Sequence, residues 1–216
     1  LTNIGKTTIF NCISNTKGQT SNFAYSTNKS NLGQVNVPDD RLVEIDKLIH
    51  SARIVPVTVE IMDIPGLAKG ASQGEGVGNK FLADIQQTDA IIHVLRCFDD
   101  ENLPHVEGSV NPDREIVDLE LQIRDLDLVE RKIQRLEKAS KTGDKDAKHG
   151  VDVLTRVKDH LENFQSVRTL EIGEMDRRFI DDMYLLTDKP VIYVCNVDDA
   201  AAVRGNKYTE MLKEAG

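Results

Sequence analysis

The chain has 216 residues with 27 Lys and Arg against 36 Asp and Glu, a formal charge of −9. That length suits one large domain or one domain with an insertion, and 39% hydrophobic with 29% charged residues is too apolar for a disordered segment. The acidic balance argues against nucleic-acid binding by the whole surface, leaving room only for a local basic patch, and no apolar run approaches the roughly 18 residues of a membrane span.

The pattern predicts a helix from Lys6 to about Ser14, then a weak edge strand at Gln34–Val37 and a helix from Asp40 to about His50. Val57–Met62, Ala90–Leu95 and Pro190–Cys195 are short, β-branched and apolar, which predicts buried parallel strands. A helix from Asn79 to about Gln87 fits between the first two. Alternating strand and helix predicts an open α/β sheet, mainly parallel, with ligand loops at the carboxyl ends of its strands.

The stretch from about Pro112 to Thr187 differs in kind. Ile116, Leu119, Ile123, Leu126, Val129, Ile133 and Leu136 recur at steps of three and four, a coiled-coil seam on one long helix. The polar run Lys141–Gly150 reads as a loop. Leu154, Val157, Leu161 and Phe164 then resume the spacing, which predicts a second helix returning antiparallel. A shorter helix around Phe179, Ile180, Met183 and Leu186 leads to the last strand. The division expected is therefore 1–111, 112–187 for a helical insertion, and 188–216. The hairpin is either a solvated projection or an arm that docks a partner.

Cys12, Cys97 and Cys195 form no CxxC pair and read as reduced thiols of a cytoplasmic protein, with neither a disulfide framework nor a zinc site. His93 lies mid-strand among apolar residues and reads as a core histidine. His50, His105, His149 and His160 form no metal cluster.

Three short motifs carry the chemistry. Gly5-Lys6-Thr7-Thr8 matches the end of G-x-x-x-x-G-K-[ST], in which backbone N–H groups and a helix N-terminus cradle phosphates. Lys6 would neutralise the β- and γ-phosphates and the Thr7 hydroxyl would bind Mg2+. Leu1 to Ile4 would fill the variable positions, so the reading expects sequence before residue 1. Asp63-Ile64-Pro65-Gly66 follows a predicted strand, where Asp63 reaches Mg2+ through its water shell and the Gly66 N–H meets a γ-phosphate. Asn196-Val197-Asp198-Asp199 follows the last strand, where GTP-binding proteins carry N-K-x-D. Each motif alone is weak; in this order and on strand ends they point to nucleotide binding.

The stretch Asp63-Ile64-Pro65-Gly66-Leu67-Ala68-Lys69-Gly70-Ala71-Ser72-Gln73-Gly74-Glu75-Gly76-Val77-Gly78-Asn79-Lys80-Phe81-Leu82 resembles the YchF, or Obg-like ATPase, branch of the Obg-type P-loop GTPases of the TRAFAC class. Thr88–Phe98 and Gly143–Lys148 resemble the same family. The resemblance implies a Ras-like G domain interrupted by a coiled-coil insertion, Mg2+ as cofactor, ATP or GTP as ligand and the ribosome as partner, with no membrane and no direct DNA binding. It also implies a first strand before residue 1 and a C-terminal TGS domain beyond residue 216. By resemblance, Asn3, Ile4, Gly5, Lys6, Thr7 and Thr8 hold the triphosphate, Thr7 and Thr27 are the hydroxyls on Mg2+, and Asn196, Val197 and Asp199 meet the base.

Three departures from the family matter. Its base loop reads N-x-x-E and prefers ATP, whereas Asp199 is the guanine-reading residue. Its first switch is richer in proline than Asn22–Asn31, although Thr27 survives. Leu67 stands where many GTPases carry the glutamine that orients water, so no catalytic residue is assigned. Gly66, Gly70, Gly74, Gly76 and Gly78 suit a loop ordered by γ-phosphate. The expected function is an Mg2+-dependent NTPase that prefers ATP and acts as a switch. The alternatives are a GTP-specific Obg-type GTPase or a weakly hydrolysing, nucleotide-dependent adaptor. A P-loop small-molecule kinase is disfavoured, because N-x-x-D after a buried strand serves base recognition.

Overall fold

A computed structural model describes residues 4–14, 31–64, 77–99 and 110–214. The chain divides into two compact units, one of residues 5–65 and one of residues 1–4 with 66–216.

The first unit contains α1 (Lys6–Ser14), β1 (Asn31–Asn36), α2 (Asp40–Ile49) and β2 (Thr58–Asp63). The two strands pair antiparallel, in the register Asn31↔Asp63 to Asn36↔Thr58. α1 packs on this ribbon, and Gly33 makes the approach possible, since a Cβ there would sit 2.6 Å from the Ser14 Cβ. α2 starts on Asp39, whose carboxylate accepts from the Arg41 N–H at 3.0 Å, and ends on His50 in the left-handed region at φ 51°.

The expectation of a buried parallel strand at Val57–Met62 is corrected here. β2 is antiparallel to β1, and Val57 and Val59 are 72% and 48% exposed. A β-branched apolar run signals strand but does not say whether one face or both are covered. β1 also begins three residues earlier than the weak strand read at Gln34–Val37.

The second unit holds α3 (Val77–Gln86), β3 (Ile91–Arg96), α4 (Val110–Ser140), α5 (Lys145–Glu162), α6 (Glu174–Arg177), β4 (Val191–Asn196), α7 (Ala201–Arg204) and α8 (Lys207–Glu214). β3 and β4 pair parallel, with His93 opposite Tyr193 and Leu95 opposite Cys195. Leu95, Cys97 and Tyr208 form a small core that Cys195, Val197 and Leu212 join. Cys97 and Cys195, distant in sequence, are therefore neighbours, and burial first, then the Cys195 thiol, pushes the Cys97 thiol up to about 12. His93 lies beside Tyr193 with the rings tilted and their centroids 5.5 Å apart, and burial, aided by the cations of Arg114 and Arg168, holds its imidazole down at about 4. The strands are less covered than their composition implies, Ile92 being 43% and Ile192 61% exposed.

α4 and α5 form the predicted antiparallel hairpin. Gly150 meets Leu136, Lys158 pairs with Glu130 and Gln122 donates to the Phe164 carbonyl, so contacts rise along one helix as they fall along the other. Its core is Val129, Val153, Leu154, Val157 and Leu161, extended by Phe179 and Ile180. The loop expected over Lys141–Gly150 is shorter: α5 begins at Lys145, and the Asp144 carboxylate caps it by accepting from the Asp146 and Ala147 N–H groups at 2.9 and 3.1 Å. Gly150 is inside this helix because a Cβ would come within 2.9 Å of Leu136 and Phe179. It marks a close helix approach, where the sequence suggested a break.

The single helix read around Phe179–Leu186 is replaced by α6 and two 3₁₀ turns, Asp181–Met183 and Leu186–Asp188, separated by Tyr184 at φ 51°. Asp125 of α4 explains the last turn. Its buried carboxylate accepts from the Leu186 and Thr187 N–H groups at 2.8 and 2.7 Å and from the Thr187 hydroxyl at 2.7 Å. Long-range capping of this kind overrides local apolar spacing. α4 also packs on β3 and α8, so the hairpin shares one compact unit with the parallel strands.

Candidate functional site

Within the first unit, α1 opens directly on Gly5, whose φ of 81° lies in the left-handed region that glycine tolerates. Its carbonyl accepts the first helical hydrogen bond, from the Ile9 N–H at 3.0 Å. The N–H groups of the first turn have no partner within the helix and carry the positive end of its dipole. Lys6, Thr7 and Thr8 stand in that turn.

Asp63, at the end of β2, is 6% exposed and is gripped by this turn. Lys6 Nζ donates to Oδ1 at 2.5 Å and Thr7 Oγ1 donates to Oδ2 at 2.8 Å. Lysine, hydroxyl and carboxylate, 56 and 57 residues apart in sequence, thus converge on one point. A cation, a hydroxyl oxygen and a shielded carboxylate at a helix N-terminus are the chemistry that binds a phosphate together with a hard divalent cation. The oxygen donors Thr7 and Asp63 fit Mg2+. The direct Lys6–Asp63 ion pair was not legible in the sequence, which placed the two on different partners.

In the second unit, Asn196 ends β4 and its amide donates to the Ile4 carbonyl at 3.0 Å. The loop asparagine therefore pins the backbone of a residue read as part of the phosphate loop, and Ile4 itself is 7% exposed. The two aspartates that follow are divided in role. Asp198 accepts from the Ala201 N–H at 2.8 Å and starts α7. Asp199 is exposed and, among the described residues, makes no hydrogen bond or ion pair. The capping duty of Asp198 was missed, although an aspartate three residues before an alanine-rich helix start carries that signal. Val197 packs against the Leu95–Cys97–Tyr208 core, so its side chain is committed inward.

Asn3, Thr27, Gly66 and Leu67 lie outside the described residues, as does His105. Among the described residues no group of three His, Cys, Asp or Glu side chains is placed to hold a metal by itself, and no helix is long and apolar enough to cross a membrane.

Comparison with known proteins agrees with this geometry. A family model described as 50S ribosome-binding GTPase matches residues 1–197. The chain is 41% identical over 218 residues to the ribosome-binding ATPase YchF of Bacillus subtilis, covering 99% of this chain and 60% of that protein. It is also 41% identical over 216 residues to the ribosome-binding ATPase YchF of Escherichia coli O157:H7, covering 99% and 59%. The solved structure of the Schizosaccharomyces pombe YchF GTPase superposes with a TM-score of 0.78 at 36% identity, covering 98% of this chain and 59% of that one. The chain thus spans about three fifths of the relatives it matches.

Proposed function

The chain belongs to the 50S ribosome-binding GTPase family, in its YchF branch, and from that premise we propose that it is the catalytic part of a cytoplasmic, Mg2+-dependent nucleoside triphosphatase that prefers ATP and switches a contact with the ribosome. The observation that carries the reading is the convergence of Lys6 and Thr7 on the shielded carboxylate of Asp63.

In this reading the backbone from Asn3 to Thr8 surrounds the phosphates, with Gly5 supplying the turn that side-chain-bearing residues resist. Lys6 exchanges its bond to Asp63 for the β- and γ-phosphate oxygens. Thr7, Thr27 and Asp63 are the residues that would hold Mg2+. The chemistry Mg2+ supplies there is neutralisation of charge across the β- and γ-phosphates. The Gly66 N–H meets the γ-phosphate. The Leu67 side chain has no group that hydrogen-bonds water, so either another group orients the attacking water or turnover is slow.

Asn196 holds its loop and Asp199 faces the base. Val197 meets the base through its main chain, since its side chain is packed. Asp199 favours a second reading, a GTP-specific enzyme, because guanine N1–H and the 2-amino group are both donors to a carboxylate and adenine has neither there. Leu67 favours the weakly hydrolysing adaptor, which phosphate release would separate from the main reading. We propose residues 112–187 as an insertion between two parts of the G domain, 1–111 and 188–216. Competitive binding of ATP and GTP to the intact protein at fixed Mg2+ tests the preference. The expected ratio is about tenfold in favour of ATP, about 1.4 kcal/mol, and a hundredfold preference for GTP overturns it.

A further inference from the structure

Lys6 and Asp63 satisfy each other. The Asp63 side chain is 4% exposed and that of Lys6 28%, so the pair is shielded at its acidic end and open at its basic end. Among the described residues Lys6 has no partner besides Asp63 Oδ1, and the carboxylate accepts only from Lys6 and from the Thr7 hydroxyl.

The two ends differ in freedom. Asp63 is held through its backbone, which pairs with Asn31 across the β1–β2 ribbon, and through its side chain by Thr7. Lys6 hangs on a flexible four-carbon stem from the first turn of α1. The Thr7 bond persists when its oxygen is shared with a metal, because a hydroxyl that donates its proton keeps its lone pairs. Opening the site therefore means moving one side chain, Lys6.

That movement is electrostatically unfavourable. A buried carboxylate whose only cation is withdrawn becomes an uncompensated charge in a poorly solvated place. Phosphates brought close to it add like-charge repulsion. Mg2+ supplies the positive charge that offsets both. A bare nucleotide brings no cation to replace the ammonium beside Asp63.

We propose that the Lys6–Asp63 ion pair is a latch, closed without metal, which makes the site select the Mg2+ complex of a nucleoside triphosphate over the bare polyanion. The inference rests on the reading of this turn as a triphosphate site and adds to it a rule for what enters. Because Lys6 is partly exposed, the latch is weaker than a fully buried pair, and releasing it changes affinity by about tenfold rather than by roughly a thousandfold.

The test uses four full-length proteins: the parent, Asp63→Asn, Lys6→Ala, and the double variant Lys6→Ala, Asp63→Asn. ATP affinity is measured for the parent and Asp63→Asn by calorimetric titration, once with Mg2+ and once with a chelator. Asp63→Asn keeps an oxygen for the Thr7 hydroxyl and frees Lys6. It is expected to bind metal-free ATP about tenfold more tightly than the parent does, and to gain less from Mg2+. Denaturant unfolding of all four, without nucleotide or metal, reads the pair itself. Lys6→Ala leaves Asp63 unpaired and is expected to be less stable than the double variant, which has no charge left to bury.

Metal-free ATP bound no more tightly by Asp63→Asn than by the parent overturns the latch. So does a double variant no more stable than Lys6→Ala, even if Asp63→Asn binds metal-free ATP more tightly: the carboxylate would then act by repelling phosphates and not by holding the lysine. Both results leave the triphosphate reading standing. A parent that binds no ATP with Mg2+ overturns that reading, and the latch with it.

Discussion

Lys6 and Asp63 hold each other at 2.5 Å, with Thr7 on the other carboxylate oxygen. Replacing Lys6 by Ala removes the cation proposed for the phosphates, where charge-assisted bonds are worth about 1.5–3 kcal/mol each. Nucleotide affinity should fall at least tenfold, read by calorimetric titration of ATP. An unchanged affinity would leave the lysine as a mere partner of Asp63. At the base loop, Val197→Lys offers the missing stem beside Asp199 and should move preference toward GTP, checked by the two dissociation constants. Because Val197 is packed against Leu95, Cys97 and Tyr208, the variant should also melt at a lower temperature. Single residues were legible in the sequence where a motif names them, as at Gly5, Lys6 and Asp63. They were not where two like residues compete: nothing in N-V-D-D alone says that Asp198 caps α7 while Asp199 stays open. Only the position of the helix start decides that.

At the scale of elements, the two helices of the hairpin share one core with Val167, Phe179, Ile180 and Leu185. Leu154 is fully buried in it, and Leu154→Ala should cost about 2–5 kcal/mol. Its base is tied through Asp125 to the turn that precedes β4, and its middle is tied to the segment around Phe179 and Ile180. Leu154→Ala should therefore lower the melting temperature of the helical signal and leave ATP affinity within about twofold; loss of both together would make hairpin and nucleotide site one cooperative element. Asp125 adds a pH dependence. Burial pushes its carboxyl up to about 6, against an ordinary 3.8. The folded state then holds a proton that the unfolded state releases between those values, so this group's contribution is fullest below about pH 4 and fades as pH rises to about 6. Asp125→Asn should flatten that part of the stability-against-pH curve, measured by denaturant unfolding at pH 4 and 6. A slope that persists in the variant assigns it elsewhere.

These elements were legible where periodicity is long, as in the seam from Ile116 to Leu136. Legibility failed at Lys145–Gly150, where polar residues and a glycine imitate a loop. There the Asp144 cap and the closeness of Leu136 and Phe179 decide for helix. It failed again at Phe179–Leu186, where Asp125, some 60 residues away, supplies the capping.

For the whole molecule, alternation of strands and helices was enough to reach an open α/β fold, and the three motifs with the family resemblance were needed to make it a P-loop fold. The direction and cover of β2 were beyond it: an apolar run does not record which strand it will pair with, and here the partner is the antiparallel β1.

The central claim is that Lys6, Thr7 and Asp63 belong to a site that hydrolyses ATP. Phosphate release under single-turnover conditions, with Mg2+ and excess full-length protein, tests it most directly. The account predicts slow but complete release from ATP by the parent protein and none above background by Lys6→Ala at equal nucleotide occupancy. Equal rates in the two proteins would contradict it.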